Sequence, residues 1–368
     1  MTIRAALMTG PDEPIRLTTL PDPEPGPGEV VLDTVASEVC GTDVHLRRGQ
    51  LAGIPWPIIP GHVSVGRITE SRGVDHDALG APLAPGDLVT FLDVHGTCHA
   101  CYLCTVAGHP NRCPSRRVYG ITFSASEGAF GGWSEQILLK EGVRILKLPE
   151  GVSAERFIGG GCGLFTGFAT VERSEMRMGD TVLVQGAGPV GLAAAAFAHL
   201  RGAGRVLMIG APEARLELAT SHFGVDVRLD LDATPPGERR ERIMEETGGR
   251  GADIVLEASG NPKAIPEGLD LLAEGGRYVV AGHYTDAGPV EVNPHHQINA
   301  KHAEIRGQWG TDFRHLVGAL RMLARHGDHL PFERVVGGRY PLEHADEALH
   351  DVAALRVTKA IITPNEGL

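Results

Sequence analysis

The sequence has no basic block, no long apolar run and little cysteine, and each shortage narrows what the chain can be. Lysine and arginine total 34 against 46 aspartates and glutamates, a formal net charge of −12. So acidic a surface repels a phosphate backbone, which points away from nucleic-acid partners. No segment reaches the length of an apolar membrane span, and the N-terminus lacks the charged-then-apolar pattern of a secretory signal. The expectation is a cytoplasmic protein with no membrane partner. Six cysteines in 368 residues, four of them between positions 98 and 113, do not make a disulfide framework and read instead as metal ligands in a reducing compartment. Repeats and low-complexity segments are also missing.

What the chain does contain is concentrated. Cys40-Gly41-Thr42-Asp43-Val44-His45 places a thiol, a hydroxyl, a carboxylate and an imidazole in one short stretch, and Gly61-His62 follows a proline-rich approach. Thiolate and imidazole together favour zinc over calcium or magnesium. Cys162, in Gly159-Gly160-Gly161-Cys162-Gly163, is the best candidate for a third ligand. Two sulfurs and one nitrogen would leave the fourth tetrahedral position open, as a catalytic zinc requires. The alternative is a pair of buried structural cysteines. Cys98, Cys101, Cys104 and Cys113, on a lobe of about residues 95–115, form a set with no open position, which reads as a structural zinc. Redox-active thiols or an iron–sulfur cluster are the other readings, and His95, His99 and His109 are lobe-surface residues in either case.

A chain this long exceeds one ordinary core, so two domains are expected, with room for a ligand cleft between them. Up to residue 163, glycine and proline divide the chain into short strands, among them Val30 to Ala36, Val63 to Thr69 and Asp87 to Leu92, as in a small β-barrel. From 164 to 300 strands alternate with helices, which predicts a doubly wound parallel sheet. Its first strand, Thr181 to Gln185, runs straight into Gly186-Ala187-Gly188-Pro189-Val190-Gly191 and an alanine-rich helix. Placed there, the glycine pattern is a dinucleotide fingerprint: glycines for the turn and for close approach, and a helix N-terminus for the pyrophosphate. Residues 301–368, including a strand near Ala303 to Gly307, are expected to return to the first domain. The final helix there should place Leu342, Ala345, Ala348, Leu349 and Val352 on one face.

Taken in order, these motifs resemble the zinc-dependent alcohol dehydrogenases of the medium-chain dehydrogenase/reductase superfamily, over essentially the whole chain. The resemblance implies an α/β protein with a GroES-like β-barrel catalytic domain split around a Rossmann domain, two zinc ions, NAD or NADP, and a homodimer or homotetramer. It makes Cys40, His62 and Cys162 the catalytic zinc ligands. Asp43 is similar to the family's carboxylate that orients the histidine ligand. Thr42 matches the hydroxyl that contacts the substrate oxygen, and His45 the outer end of a proton relay, although Thr42 could equally cap a turn and His45 could be a solvated residue. Trp56, Phe91, Val94, Tyr119 and Trp309 are candidate pocket walls.

Three departures stand out. Val63 follows His62 where the family usually has a glutamate able to approach zinc, and Glu38 is the nearest substitute; without it the zinc would hold three protein ligands and a water or substrate oxygen. The lobe has one extra residue before Cys113. Gly210 ends the second Rossmann strand where NAD-using members usually carry an acid, and Arg215 is the nearby cation that could meet a phosphate, with Glu213 opposing it. The expected function is hydride transfer between a small-molecule alcohol, or its aldehyde or ketone, and a nicotinamide cofactor. The alternatives are a polyol or amino-alcohol dehydrogenase, similar to sorbitol or threonine dehydrogenases, and a cofactor-binding protein without turnover.

Overall fold

The computed structural model describes residues 1–365, and no helix among them is long and apolar enough to cross a membrane. The chain forms two compact units. One takes Met1–Gly161, Asp312–Ala324 and the described residues from Phe332 onward; the other takes Cys162–Thr311 with Arg325–Pro331.

The first unit is built on a seven-stranded sheet in the order Val336–Tyr340, Lys359–Ile362, Val30–Val39, Ser64–Ser71, Leu88–Phe91 and Ile145–Lys147, with Gln136–Leu139 also paired to Val30–Val39. Val30–Val39 is buried along most of its length, including the polar residues Thr34, Ser37 and Glu38. Val30, Leu32, Ile68, Val89, Phe91, Tyr119, Phe123 and Phe130 fill one core. Val39, Leu46, Trp133, Leu342, Ala345, Ala348 and Leu349 fill a second. The expected apolar face of the last helix is therefore buried, although its first turn, Leu342–His344, is 3-10 and the α-helix begins at Ala345.

The second unit is a six-stranded parallel sheet ordered Val227–Asp230, Arg205–Gly210, Thr181–Gln185, Ala252–Glu257, Leu272–Val280 and Glu304–Gly307. Strand order reverses between Thr181–Gln185 and Ala252–Glu257, the switch point at whose carboxyl ends such sheets bind ligands. The strand expected near Ala303 to Gly307 forms, but as the sixth strand here and not in the first unit, because Leu272–Val280 offers it a parallel hydrogen-bonding edge. Pro294–Asn299 forms a short π-helical turn capped by the Asn293 side chain.

Candidate metal centres and cofactor loop

Strand pairing assembles the first site. Ser37 lies opposite Ser64 in the antiparallel ladder, so Cys40, three residues on, and His62, two residues before, come together at the end of that ladder. Cys40 then caps the helix Gly41–Arg47. Its sulfur accepts a hydrogen bond from the Thr42 N–H at 3.2 Å, and the Asp43 carboxylate accepts one from the Cys40 N–H at 2.8 Å. That reciprocal cap fixes the thiol and places Thr42, Asp43 and His45 on the first turns beyond it. Cys162 follows Gly161, whose backbone (φ 51°, ψ −140°) interrupts the helical run Ala154–Ser174.

The ligand atoms of Cys40, His62, Cys162 and Glu38 all lie within 4.8 Å of one another. Cys40 Sγ is 3.9 Å and Glu38 Oε1 3.2 Å from His62 Nε2. Donors around one tetrahedral zinc are separated by roughly 3.4–3.8 Å, so this set fits a zinc ion. The electrostatics agree. Burial alone would lower the pKa of His62, but the sulfur of Cys40 and the carboxylates of Glu38 and Asp43 outweigh it and raise it well above the ordinary histidine value. A pocket that draws a proton onto imidazole has excess negative charge, which a bound cation would neutralise.

No hydrogen bond runs from the His62 ring to the Asp43 carboxylate, the contact through which Asp43 would orient the histidine. Asp43 Oδ1 and His62 Nδ1 are both buried without a hydrogen-bond partner, and the other Asp43 oxygen is occupied by the cap. His45 is half-buried, with Nδ1 2.5 Å from Gln50 Oε1, a contact to which the sequence gave no clue.

In the lobe the sulfurs of Cys98, Cys101, Cys104 and Cys113 likewise lie within 4.8 Å of one another, with Cys113 Sγ 3.5 Å from Cys98 Sγ and 4.0 Å from Cys101 Sγ. Four sulfurs bound to zinc at about 2.3 Å stand ~3.8 Å apart, so a zinc ion fits here too. Cys113 and Cys104 differ in how readily they ionise, which sets the two in conflict as metal ligands. The Cys98 N–H holds Cys113 down to about 6, while burial and the neighbouring thiols push Cys104 up to about 12. A divalent cation removes that conflict by stabilising all four thiolates.

In the second unit Gly186 (φ 112°) turns the chain between Gln185 and the helix Pro189–Leu200. A methyl on Gly186 would come within 2.9 Å of the Ala258 and Ser259 backbone, and one on Gly191 would overlap the Gly186 carbonyl. Those two glycines are required by packing. Gly188 differs: a methyl there would meet nothing within 4 Å, and no side chain caps the helix whose N-terminus it forms. Gly188, Pro189 and Val190 thus leave an uncrowded helix N-terminus at the switch point, which fits a diphosphate. Beside it, Glu257 accepts hydrogen bonds from Ser259, Gly260 and Gly282 N–H groups and pins the neighbouring loops.

Two expectations for the cofactor end change. A side chain on Gly210 would lie 2.6 Å from Ala187 Cβ and 2.9 Å from its nitrogen, so the glycine is there to admit the fingerprint turn. Arg215 is buried, and burial lowers its pKa; the more exposed Arg228 pairs with Glu213 at 2.6 Å. Among the candidate pocket walls, Phe91 and Tyr119 belong to the core with Phe123 and Phe130, and the Tyr119 hydroxyl accepts the Lys140 N–H. Trp56 packs half-buried against the other core, Val94 is half-buried on a short strand, and Trp309 stacks on Tyr284 with ring centroids 5.2 Å apart.

Comparison with known proteins gives these sites a family. Residues 26–150 match the alcohol dehydrogenase GroES-like domain and residues 189–325 the zinc-binding dehydrogenase domain. The chain is 33% identical to 5-exo-hydroxycamphor dehydrogenase of Pseudomonas putida over 98% of both chains. It is 30% identical to an L-threonine 3-dehydrogenase of Streptomyces avermitilis over 94% of this chain and 95% of that one. The crystal structure of an alcohol dehydrogenase from Thermotoga maritima superposes with a TM-score of 0.94 at 33% identity, covering 99% of this chain and 100% of the other. With a GroES-like domain, a Rossmann sheet and zinc-type donor sets in place, the chain belongs to the zinc-dependent alcohol dehydrogenases of the medium-chain dehydrogenase/reductase superfamily and is an NAD(P)-dependent oxidoreductase.

Proposed function

We propose that Cys40, His62 and Cys162 hold the catalytic zinc of an alcohol dehydrogenase, that the four lobe cysteines hold a second, structural zinc, and that the turn Gly186–Gly191 carries the cofactor diphosphate. The observation that supports this best is the convergence of two sulfurs and an imidazole nitrogen within 4.8 Å from distant parts of the chain. Zinc supplies Lewis acidity that lowers the pKa of an alcohol hydroxyl. The chain's own residues do the rest. Thr42, held on the first turn by the Cys40 cap, accepts a hydrogen bond from the substrate hydroxyl and gives up its own hydroxyl proton as the substrate's arrives, and His45, at the outer end of the relay, releases a proton to solvent. Gln50 accepts a hydrogen bond from His45 Nδ1–H, which leaves Nε2 as the nitrogen that takes up the proton. Initial rates with a panel of primary, secondary and polyhydroxy alcohols and both cofactors test the reading; no cofactor reduction with any alcohol would overturn it.

His45→Ala should slow alcohol oxidation near neutral pH by about 10- to 100-fold, and added imidazole should partly restore the rate. An unchanged pH–rate profile would return His45 to the role of a solvated side chain.

Cofactor preference is not expected to follow residue 210. Gly210→Asp should weaken NAD and NADP together, by roughly 10-fold or more, because the new side chain displaces the Ala187 backbone that shapes the diphosphate turn. Titration of both cofactors into the variant checks this, and a selective gain for NAD would show that the turn yields easily.

A second substrate class, polyols or amino alcohols, is favoured by one feature, the carboxylate of Glu38 in the donor set, and by the threonine dehydrogenase relative. The same panel separates the two. Assembly into a dimer or tetramer belongs to this reading and is supported by the edge strand Glu304–Gly307, on which Ile305 is 47% exposed. Light scattering measures it.

A further inference from the structure

Glu38 is fully buried and Lys359 nearly so, at 1% exposure. Burying two charges is costly unless each is compensated. Strand register supplies the compensation. Glu38 lies opposite Ile361 and therefore diagonal to Lys359, two residues earlier on the same sheet face, and Lys359 Nζ pairs with Glu38 Oε2. The other carboxylate oxygen, Oε1, is 3.2 Å from His62 Nε2. A carboxylate oxygen and a neutral imidazole lone pair repel at that distance unless a proton or a cation lies between them. Glu38 also shares the 4.8 Å donor cluster with both sulfurs.

Two neighbours show that the fold is built around this carboxylate. A methyl on Gly161 would overlap Glu38 Oε2 and come 2.9 Å from Lys359 Nζ, so the turn that delivers Cys162 closes directly over the ion pair. On the other side the Glu38 N–H donates to the Val63 carbonyl at 3.1 Å. Glu38 thus lies across the ladder from Val63, the residue that follows His62.

We infer that Glu38 is a fourth protein ligand of the catalytic metal, closing the donor set when no substrate is bound, and that Lys359 is a positioning residue that keeps the carboxylate when substrate takes its place. This rests on the reading of Cys40, His62 and Cys162 as ligands, and it replaces the expectation of three protein ligands plus water. The charges balance in both arrangements. A divalent cation offsets two thiolates, and Lys359 offsets Glu38, whether the carboxylate is on the metal or withdrawn from it. The exchange therefore leaves the net charge of these groups unchanged.

The test uses protein carrying cobalt in place of the catalytic zinc, whose visible absorption reports coordination directly. The wild-type spectrum should change when cofactor and alcohol are added together. Glu38→Gln should show an altered substrate-free spectrum and lose cobalt to a chelator about 10- to 100-fold faster. Lys359→Met should keep the substrate-free spectrum but hold it in the presence of substrate, with a raised KM for alcohol. Should Lys359 left alone prevent Glu38→Gln from folding, the double variant Glu38→Gln/Lys359→Met removes both charges and is read in the same way. A wild-type spectrum and release rate in whichever Glu38 variant folds would overturn the proposal. Cys162→Ser separates it from the reading beneath it. Loss of the cobalt signal in that variant upholds the ligand set whatever Glu38 does, whereas an unaltered signal overturns both.

Discussion

Cys162→Ala should abolish turnover, by at least about 1,000-fold, while the protein stays folded and keeps one zinc. The size of the effect follows from what the sulfur does: zinc is the Lewis acid on which the chemistry depends, and removing one of its ligands weakens binding and misdirects what remains. The fold should survive because Cys162 follows Gly161 at a break in a helix whose flanking residues, Phe157, Ile158, Leu164 and Phe165, stay packed in the interior. Zinc content and circular dichroism alongside initial rates check it. A variant that retains two zinc ions and measurable turnover would remove Cys162 from the ligand set.

Cys113→Ala should act in the opposite sense, with a large loss of stability and a smaller direct effect on chemistry. Cys113 is buried and accepts the Cys98 N–H at 3.3 Å, so it is the sulfur that ties the end of the lobe to its beginning. Little else holds the lobe. Its α-helical turn Tyr102–Thr105 buries no residue, and Tyr102 and Val106 are exposed at 70% and 69%. Metal binding in such a segment is folding free energy, so losing it should lower the melting temperature by about 5–10 °C and open the stretch 98–113 to proteases. Thermal melts and limited proteolysis measure this; a variant as stable and protease-resistant as the parent would show that the lobe folds without its metal.

Local chemistry was legible in the sequence wherever one short stretch carries it. The lobe cysteines and the fingerprint glycines are each set by spacing within about fifteen residues, and the four lobe sulfurs lie together as spacing suggested, whereas the Cys40 cap was not foreseen. Long-range register was less legible. Glu38 could be noticed as a carboxylate near Cys40, but Lys359 is 321 positions away and becomes its partner only through the pairing of Ile361 with Glu38. A hint was present, since each is a charged residue within an otherwise apolar strand end. Gly210 shows a related difficulty: a glycine at a strand end looks like a missing acid until the contact with Ala187 appears. The strand Glu304–Gly307 was placed in the wrong unit because nothing in four residues says which sheet edge they will meet. Phe91 and Tyr119 likewise could not be divided between pocket and core by composition.

The central claim is that alcohol oxidation depends on the metal held by Cys40, His62 and Cys162 and not on the metal in the lobe. Its most direct test is to strip the protein of zinc with a chelator, return zinc in measured amounts, and follow reduced nicotinamide formation against zinc bound in the parent and in Cys162→Ala. The account predicts two zinc ions per chain in the parent, with turnover proportional to occupancy of the site lost in the variant. Full-rate alcohol oxidation by protein holding zinc in the lobe alone would contradict it.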